Sequence, residues 1–414
     1  MGVLKIGICG WGNIATGLFE ELQKENNSNF QIKVIGARRD NNNCDPGDVL
    51  IERDIFDVLN HDIDVMIELI GGSDTARDLI LSAINKGINV ITANKAVIFE
   101  HGNEIFKNAQ KKNVSVLFES SVCAGTPVIK IINQELAPNK ITKIVGMLNG
   151  TSNFILSEME KGADFEPTLK FAQKEGYAEP DPSFDIEGMD AAHKIGILSA
   201  LVFKSSLPSP KFHIEGITDI EGIDFKYADD LGYSIKHLAL AKESLEGVEL
   251  RAHLALVKKD SYLANLKGVR NGIEIETDLI GKVHVAGSGA GRSSTSSGII
   301  SDLIHLMKTN KDKSQNLIEN FSANVIPMNK LSFKNYICLR TNFSENEIDL
   351  NAIKSILTLF NIDTEIIKFY DVKDDLNSIV IITEDFFENI KSELSLSFDE
   401  LEEIHSHKFI RIES

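Results

Sequence analysis

The stretch Val3-Leu4-Lys5-Ile6-Gly7-Ile8-Cys9-Gly10-Trp11-Gly12-Asn13-Ile14-Ala15 decides the architecture of the first third of the chain. A mostly apolar run ends in two closely spaced glycines and passes at once into a helical pattern over residues 14–23. A strand, a glycine turn and a helix in that order form the phosphate-binding turn of a Rossmann unit. The glycines permit a tight bend and close backbone approach to a pyrophosphate, which then lies on the positive end of the helix. Ala15 stands at the third glycine position, an exchange the fingerprint tolerates. A purely structural turn would use the same glycines, but the strand-to-helix context favours a dinucleotide. Gly10, Gly12, Asn13 and Ile14 are the expected cofactor contacts.

Outward from this turn, residues 32–36, 65–70, 89–92 and 115–119 read as further short apolar strands, with helical segments between them. That alternation predicts an α/β, doubly wound parallel sheet. The second strand ends at Gly36-Ala37-Arg38-Arg39, where an NAD-selective site usually carries an acid for the ribose hydroxyls. Two guanidinium groups suit a 2′-phosphate instead, or else they form a solvated basic loop end. The expectation is NADP, with NAD possible, contacted by Ala37, Arg38 and Arg39. Gly71, Thr92 and Lys95, at the ends of later strands, complete the cofactor side, since the carboxyl ends of parallel strands face the ligand crevice.

Near Thr126-Pro127 the pattern changes. Longer strands are expected at 140–149, 250–258, 272–279 and 281–286, and helices at 166–175 and 188–203, giving a mixed sheet with helices on one face. A helix at 298–308 precedes a polar stretch, 309–315. The last unit reads strand 335–341, helix 350–361, strands 364–370 and 378–384, a helix, and strand 409–412, the order of a ferredoxin-like α+β module. The expected domains are 1–128 with about 300–325 returning to it, 129–299, and 330–414.

The 414 residues carry a formal net charge of −18, which opposes a nucleic-acid partner needing a basic surface. Cys9, Cys44, Cys123 and Cys338 are scattered without metal-like spacing and read as reduced thiols. No apolar run approaches bilayer length and no leader pattern opens the chain, so a cytoplasmic protein is expected.

The most informative segment for chemistry is Ala172 to Lys194. It holds Gly176-Tyr177-Ala178-Glu179-Pro180-Asp181-Pro182, then Asp185, Gly188, Asp190 and Lys194. Asp190 and Lys194 are four apart and share one helix face. On an exposed helix they would form an ordinary surface ion pair. Ala191, Ala192, Ile195, Ile197, Leu198, Ala200 and Leu201 leave little polar face, so the helix is expected to be buried and its charged pair to mark a site.

The whole run resembles homoserine dehydrogenase. Its pattern is met by Ala172, Gly176, Tyr177, Ala178, Asp181, Pro182, Asp185, Ile186, Gly188, Asp190 and Lys194. The same family is suggested by Thr92-Ala93-Asn94-Lys95, Asn149-Gly150-Thr151-Ser152-Asn153 and Gly287-Ser288-Gly289-Ala290-Gly291, and the resemblance covers residues 1 to about 325. It implies interconversion of L-homoserine and L-aspartate 4-semialdehyde, a step towards threonine and methionine. It makes Lys194 the acid/base, Lys95 a second catalytic lysine at the cofactor edge, and Gly287 a cofactor contact. Glu179, Asp190, Asp185, Gly150 and Thr151 become the substrate residues. Burial and a second lysine are expected to lower the Lys194 pKa, with Asp190 opposing them. The resemblance also implies a monovalent cation (Na⁺ or K⁺) held by Glu119 and the main-chain carbonyls of Val122, Ala124 and Thr126, and a homodimer formed through the second domain. The last unit looks like an ACT domain. Its first loop, Thr341-Asn342-Phe343-Ser344-Glu345-Asn346, lacks the usual proline and glycine, so threonine sensing is expected to be weak or absent.

Two rival readings stay open at this level. Cys123 could serve a covalent aldehyde dehydrogenase, but His101 and His193 show no recognisable pairing with it. A non-catalytic dinucleotide-binding sensor would have no need of Lys95, Asp190 and Lys194.

Overall fold

The computed structural model describes residues 3–24, 27–207, 212–308, 324–372 and 376–413. The first sheet holds β1 (Leu4–Cys9), β2 (Phe30–Gly36), β3 (Leu50–Glu52), β4 (Val65–Glu68), β5 (Asn89–Thr92) and β6 (Val116–Leu117), in the order β3-β2-β1-β4-β5-β6. Every pairing is parallel. Helices α1 (Asn13–Leu22), α2 (Asp74–Asn85) and α3 (Lys95–Lys112) cover it. The near-continuous apolar strands follow from burial of both faces. Ile8, Ile35 and Ile67 face the α1 side, whereas Cys9, Val34 and Met66 join the cluster that includes α2 and α3. Strand order reverses around β1, which opens a crevice at its carboxyl end.

The chain crosses to a second sheet through α4 (Val128–Lys130), which runs on as a π-turn over Ile131–Glu135. That sheet is built from β7 (Ile141–Met147), β8 (His213–Ile214), β9 (Tyr233–Ser244), β10 (Gly247–Lys258), β11 (Arg270–Thr277) and β12 (Lys282–Ser288). The intervening helices are α5 (Gly150–Met159), α6 (Phe165–Lys174), α7 (Ser183–Ile186), α8 (Met189–Val202) and α9 (Gly222–Asp230). Because side chains alternate along a strand, Ile144, Ala239, Ala241 and Ala252 face α8. Val145, Leu238, Leu240 and Val257 face the turn that holds Leu263 and Leu266.

The long helix α10 (Arg292–Lys308) then returns to the first sheet, where Ile299 and Leu303 meet Ile8 and Leu18. The remaining elements are β13 (Ser332–Phe333), β14 (Asn335–Thr341), α11 (Leu350–Leu359), β15 (Thr364–Tyr370), β16 (Asn377–Thr383), β17 (Phe386–Phe387), α12 (Lys391–Asp399) and β18 (Ser406–Glu413). Their strands run β18-β14-β16-β15, all antiparallel. Helices α11 and α12 cover Ile337, Leu339 and Ile379, while Tyr336, Cys338 and Val380 lie with Phe225 and Tyr227 of α9.

Five features depart from the sequence expectations. Strand β9 passed unread because Lys236 and His237 interrupt its apolar run. Both are buried, and they donate to the carbonyls of Leu266 (3.3 Å) and Glu215 (2.9 Å). The short β3 also passed unread, and the strand expected at 115–119 shrinks to Val116–Leu117. Helix α10 starts six residues before 298, because its serine-rich opening has weak propensity but is held by tertiary contacts. The Ser120 hydroxyl donates to the Thr295 carbonyl at 2.8 Å, and Gly298 packs where a Cβ would come within 2.6 Å of the Ala124 carbonyl. Finally, the last unit shares its sheet with the preceding one. Strand β18 pairs in parallel with β10 (Ala255 with Arg411, Leu256 with Ile412, Val257 with Glu413), making one ten-stranded mixed sheet. The polar stretch 309–315, and most of the expected return segment, fall outside the described residues.

Candidate active site

A cleft of about 760 Å³ opens between the crevice of the first sheet and the helical side of the second. Ile14 and Lys95 line it from the dinucleotide side, and Gly150, Thr151, Asp190 and Lys194 from the other. Three chain reversals set its shape. Asn94 caps α3 by accepting from the Ala96 and Val97 amides (3.1 and 3.2 Å), which starts that helix at Lys95. Asn149 caps α5 by accepting from the Ser152 amide at 2.7 Å. Gly188 caps α8 at φ +86, a left-handed conformation that glycine adopts without strain.

Asp190 sits at the centre. One carboxylate oxygen lies 3.0 Å from Lys95 Nζ, and the other accepts from Lys194 Nζ at 2.7 Å and from Asn149 at 2.8 Å. Lys194 also donates to the Leu148 carbonyl at 2.6 Å, and Asn149 to Asp185 at 2.6 Å. Burial alone would raise the Asp190 carboxyl, yet Lys194 and Lys95, helped by hydrogen bonds from Lys194 and Asn149, hold it well below the usual range. For Lys194 the expected lowering does not occur. Burial does push its ammonium down, but the adjoining Asp190 carboxylate outweighs burial and the net direction is up. Burial and the Asp190 charge both raise Asp185. Lys95 Nζ also stands 5.2 Å over the Phe184 ring, whose edge meets His193.

On the cofactor side the residues fit a dinucleotide. Gly10 has φ +105, and a Cβ there would meet the Leu69 carbonyl at 2.4 Å, so the turn requires glycine. Gly12 opens on free space ahead of Asn13, and α1 carries no acid in its first turn. Gly71 is exposed, three residues beyond the carboxyl end of β4. Ala37 is buried, while Arg38 and Arg39 project into solvent at the end of β2 with no hydrogen bond or ion pair to any described residue.

Several expected residues lie elsewhere or act differently. Thr92 is fully buried and makes no ligand surface. Its hydroxyl donates to Glu68 at 2.5 Å and accepts from the Asn94 amide. Ser288, Gly289, Ala290 and Gly291 line the cleft in place of Gly287, which packs on Thr126 too closely for any Cβ. Glu179 lines the cleft, but from its exposed rim. In the loop expected to hold a cation, Ala124 lines the cleft while Glu119, Val122 and Thr126 are buried beside it. Both Glu119 oxygens accept main-chain N–H bonds (Ile129 and Lys130, 2.9 Å each), and the Thr126 carbonyl already accepts from the Val128 amide. Burial and the neighbouring Asp302 raise Glu119 to about 7. Cys123 is buried with its thiol pushed up by burial, and among the described residues its side chain accepts from Asn271 at 3.6 Å and pairs with no histidine. His193 stacks on Phe99 instead, with ring centroids 4.2 Å apart.

Asn149 bridges Asp185 and Asp190. The sequence names it only as the first residue of the Asn149–Asn153 motif and assigns it no role; its helix-capping position before Gly150 is a further local signal.

Residues 127–304 match the family model of homoserine dehydrogenase, and residues 10–119 match the model of that family's NAD binding domain. The homoserine dehydrogenase of Pseudomonas aeruginosa is 40% identical over 402 residues, covering 92% of each chain. That of Neisseria gonorrhoeae is 36% identical over 416 residues, covering 95% of each. The crystal structure of a homoserine dehydrogenase from Thiobacillus denitrificans aligns with a TM-score of 0.92 at 33% identity, over 99% of this chain and 98% of that one. A hyperthermophilic archaeal homoserine dehydrogenase in complex with NADPH shares the fold over 74% of this chain and 98% of its own (TM-score 0.64, 24% identity). The chain belongs to the homoserine dehydrogenase family, as an NAD(P)-dependent oxidoreductase acting on homoserine.

Proposed function

We propose that Lys194 exchanges the proton at the C4 oxygen as L-homoserine and L-aspartate 4-semialdehyde interconvert, with Lys95 beside the same oxygen. One observation carries this reading: the two oxygens of Asp190 each hold a lysine ammonium at the floor of one cleft (3.0 and 2.7 Å). A nicotinamide cofactor held at the Gly10–Gly12 turn would supply the hydride exchange at C4. In oxidation the hydroxyl proton passes to the free amine of Lys194 as the carbonyl forms; in reduction the Lys194 ammonium gives a proton to the alkoxide oxygen. Asp190 orients both lysines, and Asn149 orients Asp190. Asp185 and Glu179 supply negative charge for the substrate ammonium, and the start of α5 at Gly150 and Thr151 suits its carboxylate.

Lys194→Ala tests the assignment. The rate should fall about 10²–10⁴-fold, the usual worth of an acid–base group, while NADPH binding, read by fluorescence, stays within about twofold. Survival of more than about a tenth of the rate would refute it. Because Asp190 raises the Lys194 pKa, homoserine oxidation should climb with pH through the alkaline range as the amine is freed. Aldehyde reduction should fall over the same range.

Arg38 and Arg39 support a preference for NADP, as would the NADPH seen in the archaeal relative. KM should be at least about tenfold lower for NADP than for NAD, about 1.4 kcal/mol in binding terms; the opposite order would overturn it. A Na⁺ or K⁺ ion on the Val122 and Ala124 carbonyls would offset the negative charge buried at Asp302 and Glu119, beside which the Lys130 ammonium pairs with Asp302 at 2.8 Å. The strand order β18-β14-β16-β15 supports an ACT-like reading of residues 330–414, and the exposed edge strand β12 is available for pairing in a homodimer.

A further inference from the structure

The elements around Glu215 tie the last strand of the chain to the start of the catalytic helix. Glu215 donates its amide to the Ala252 carbonyl of β10 at 2.8 Å, and its carbonyl accepts from His237 at 2.9 Å. Its side chain accepts from Arg411 of β18 at 2.8 Å and faces His213 at 2.8 Å. The next two residues are wedged under the link from α7 to α8. A Cβ on Gly216 would fall 2.2 Å from the Ile186 carbonyl, and the Ile217 amide donates to that carbonyl at 2.8 Å. Gly188 in turn rests on the Glu215 carbonyl, where a Cβ would approach to 2.6 Å. The supported link, residues 186–188, joins Asp185 to Asp190.

Arg411 is itself heavily constrained. It is almost fully buried, pairs with Glu388 as well as Glu215, and lies 5.8 Å over the Phe333 ring. A buried guanidinium committed to two carboxylates and an aromatic face has one available geometry. It therefore transmits the position of β18 to Glu215, rather than floating as a surface pair would. With no Cβ at Gly188 or Gly216 to act as a cushion, a shift of Glu215 passes directly to the α8 N-terminus.

We propose that Arg411 and Glu215 are positioning residues for the dehydrogenase reaction, acting through residues 186–188 to hold Asp190 and Lys194 in line with the substrate. The last strand thus completes the catalytic geometry. This rests on the reading of Asp190 and Lys194 as substrate-facing groups, which Lys194→Ala tests separately.

The test uses the full chain with Arg411→Gln, Arg411→Lys and Glu215→Gln. Displacements near 1 Å at a reacting group cost up to about a hundredfold. Arg411→Gln and Glu215→Gln should therefore lower kcat for homoserine about ten- to a hundredfold. The NADPH Kd should stay within about twofold, and the far-ultraviolet dichroism should be unchanged. Arg411→Lys, which keeps the charge but not the fork, should recover only part of the rate. Full kcat in a variant that merely melts earlier would overturn the proposal, as would parallel loss of NADPH binding. If Arg411→Gln yields no soluble enzyme, Glu215→Gln decides, since it keeps the backbone contacts and removes only the charge. If the clamp variants keep full rate while Lys194→Ala does not, only the clamp is refuted; if Lys194→Ala is active too, the catalytic reading falls first.

Discussion

At the scale of single residues, the energetic interest lies in carboxyls buried by the fold and in how each is satisfied. Asp190 is paid for by two lysines. Glu68, at the end of β4, is hydrogen-bonded to neutral groups, the Ile70 amide, Thr92 and Asn94, and burial raises it to about 7 from 4.5. The sign of the linkage follows. Between those values the folded state holds a proton that the unfolded chain has lost, so stability falls as pH rises across the interval and levels above it. The shift corresponds to about 3 kcal/mol at most. Glu119 behaves alike, so Glu68→Gln should make the decline in melting temperature between about pH 4.5 and 7 shallower without abolishing it. A variant with an unchanged slope would show that Glu68 stays ionised in the folded protein. Asp190 and Lys194 act in the opposite sense. Their depressed and raised values add stability that is lost only in strong acid or strong alkali.

At the scale of elements, helix starts carry the site. Lys95 opens α3, Gly150 and Thr151 open α5, and Asp190 lies in the first turn of α8, where the helix dipole favours a carboxylate. Gly188 is the most exacting of these positions, combining φ +86 with contact against the Glu215 carbonyl. Gly188→Ala should cost more than the ~1 kcal/mol of left-handed strain alone, because the methyl must also displace backbone. Melting temperature and kcat should both fall. Gly12→Ala, at a position with open space and an extended φ of −93, should leave the melting temperature nearly unchanged while weakening NADPH binding. Equal destabilisation by the two substitutions would count against this account of both turns.

At the scale of the whole molecule, the ten-stranded sheet joins what the chain pattern divides. Strand β18 covers the edge of β10, and β14 and β16 bury Tyr336, Cys338 and Val380 against α9. A chain ending before residue 331 would expose that edge together with Leu254, Leu256, Phe225 and Tyr227, a combination that invites edge pairing and association. It should be recovered mainly in aggregates by size-exclusion chromatography. A soluble, fully active truncated enzyme would show that the last unit is only appended.

The parts legible in the sequence are those written within short windows. The glycine turn after β1, the alternation of buried strands and helices, and the apolar helix holding Asp190 and Lys194 all depend on neighbours a few residues away. The eleven matching positions from Ala172 to Lys194 were legible for the same reason, and they pointed to homoserine as substrate. What only the tertiary structure decided involves residues far apart in the chain: Lys95 meeting Lys194 across one carboxylate, Thr92 turned inward to Glu68, Asn149 bridging two acids, and Arg411 reaching Glu215. Such contacts depend on which surfaces the fold closes upon one another. So does the Lys194 pKa: burial and the nearby Asp190 are both legible in the sequence, but which of these opposing pushes prevails depends on how the site packs.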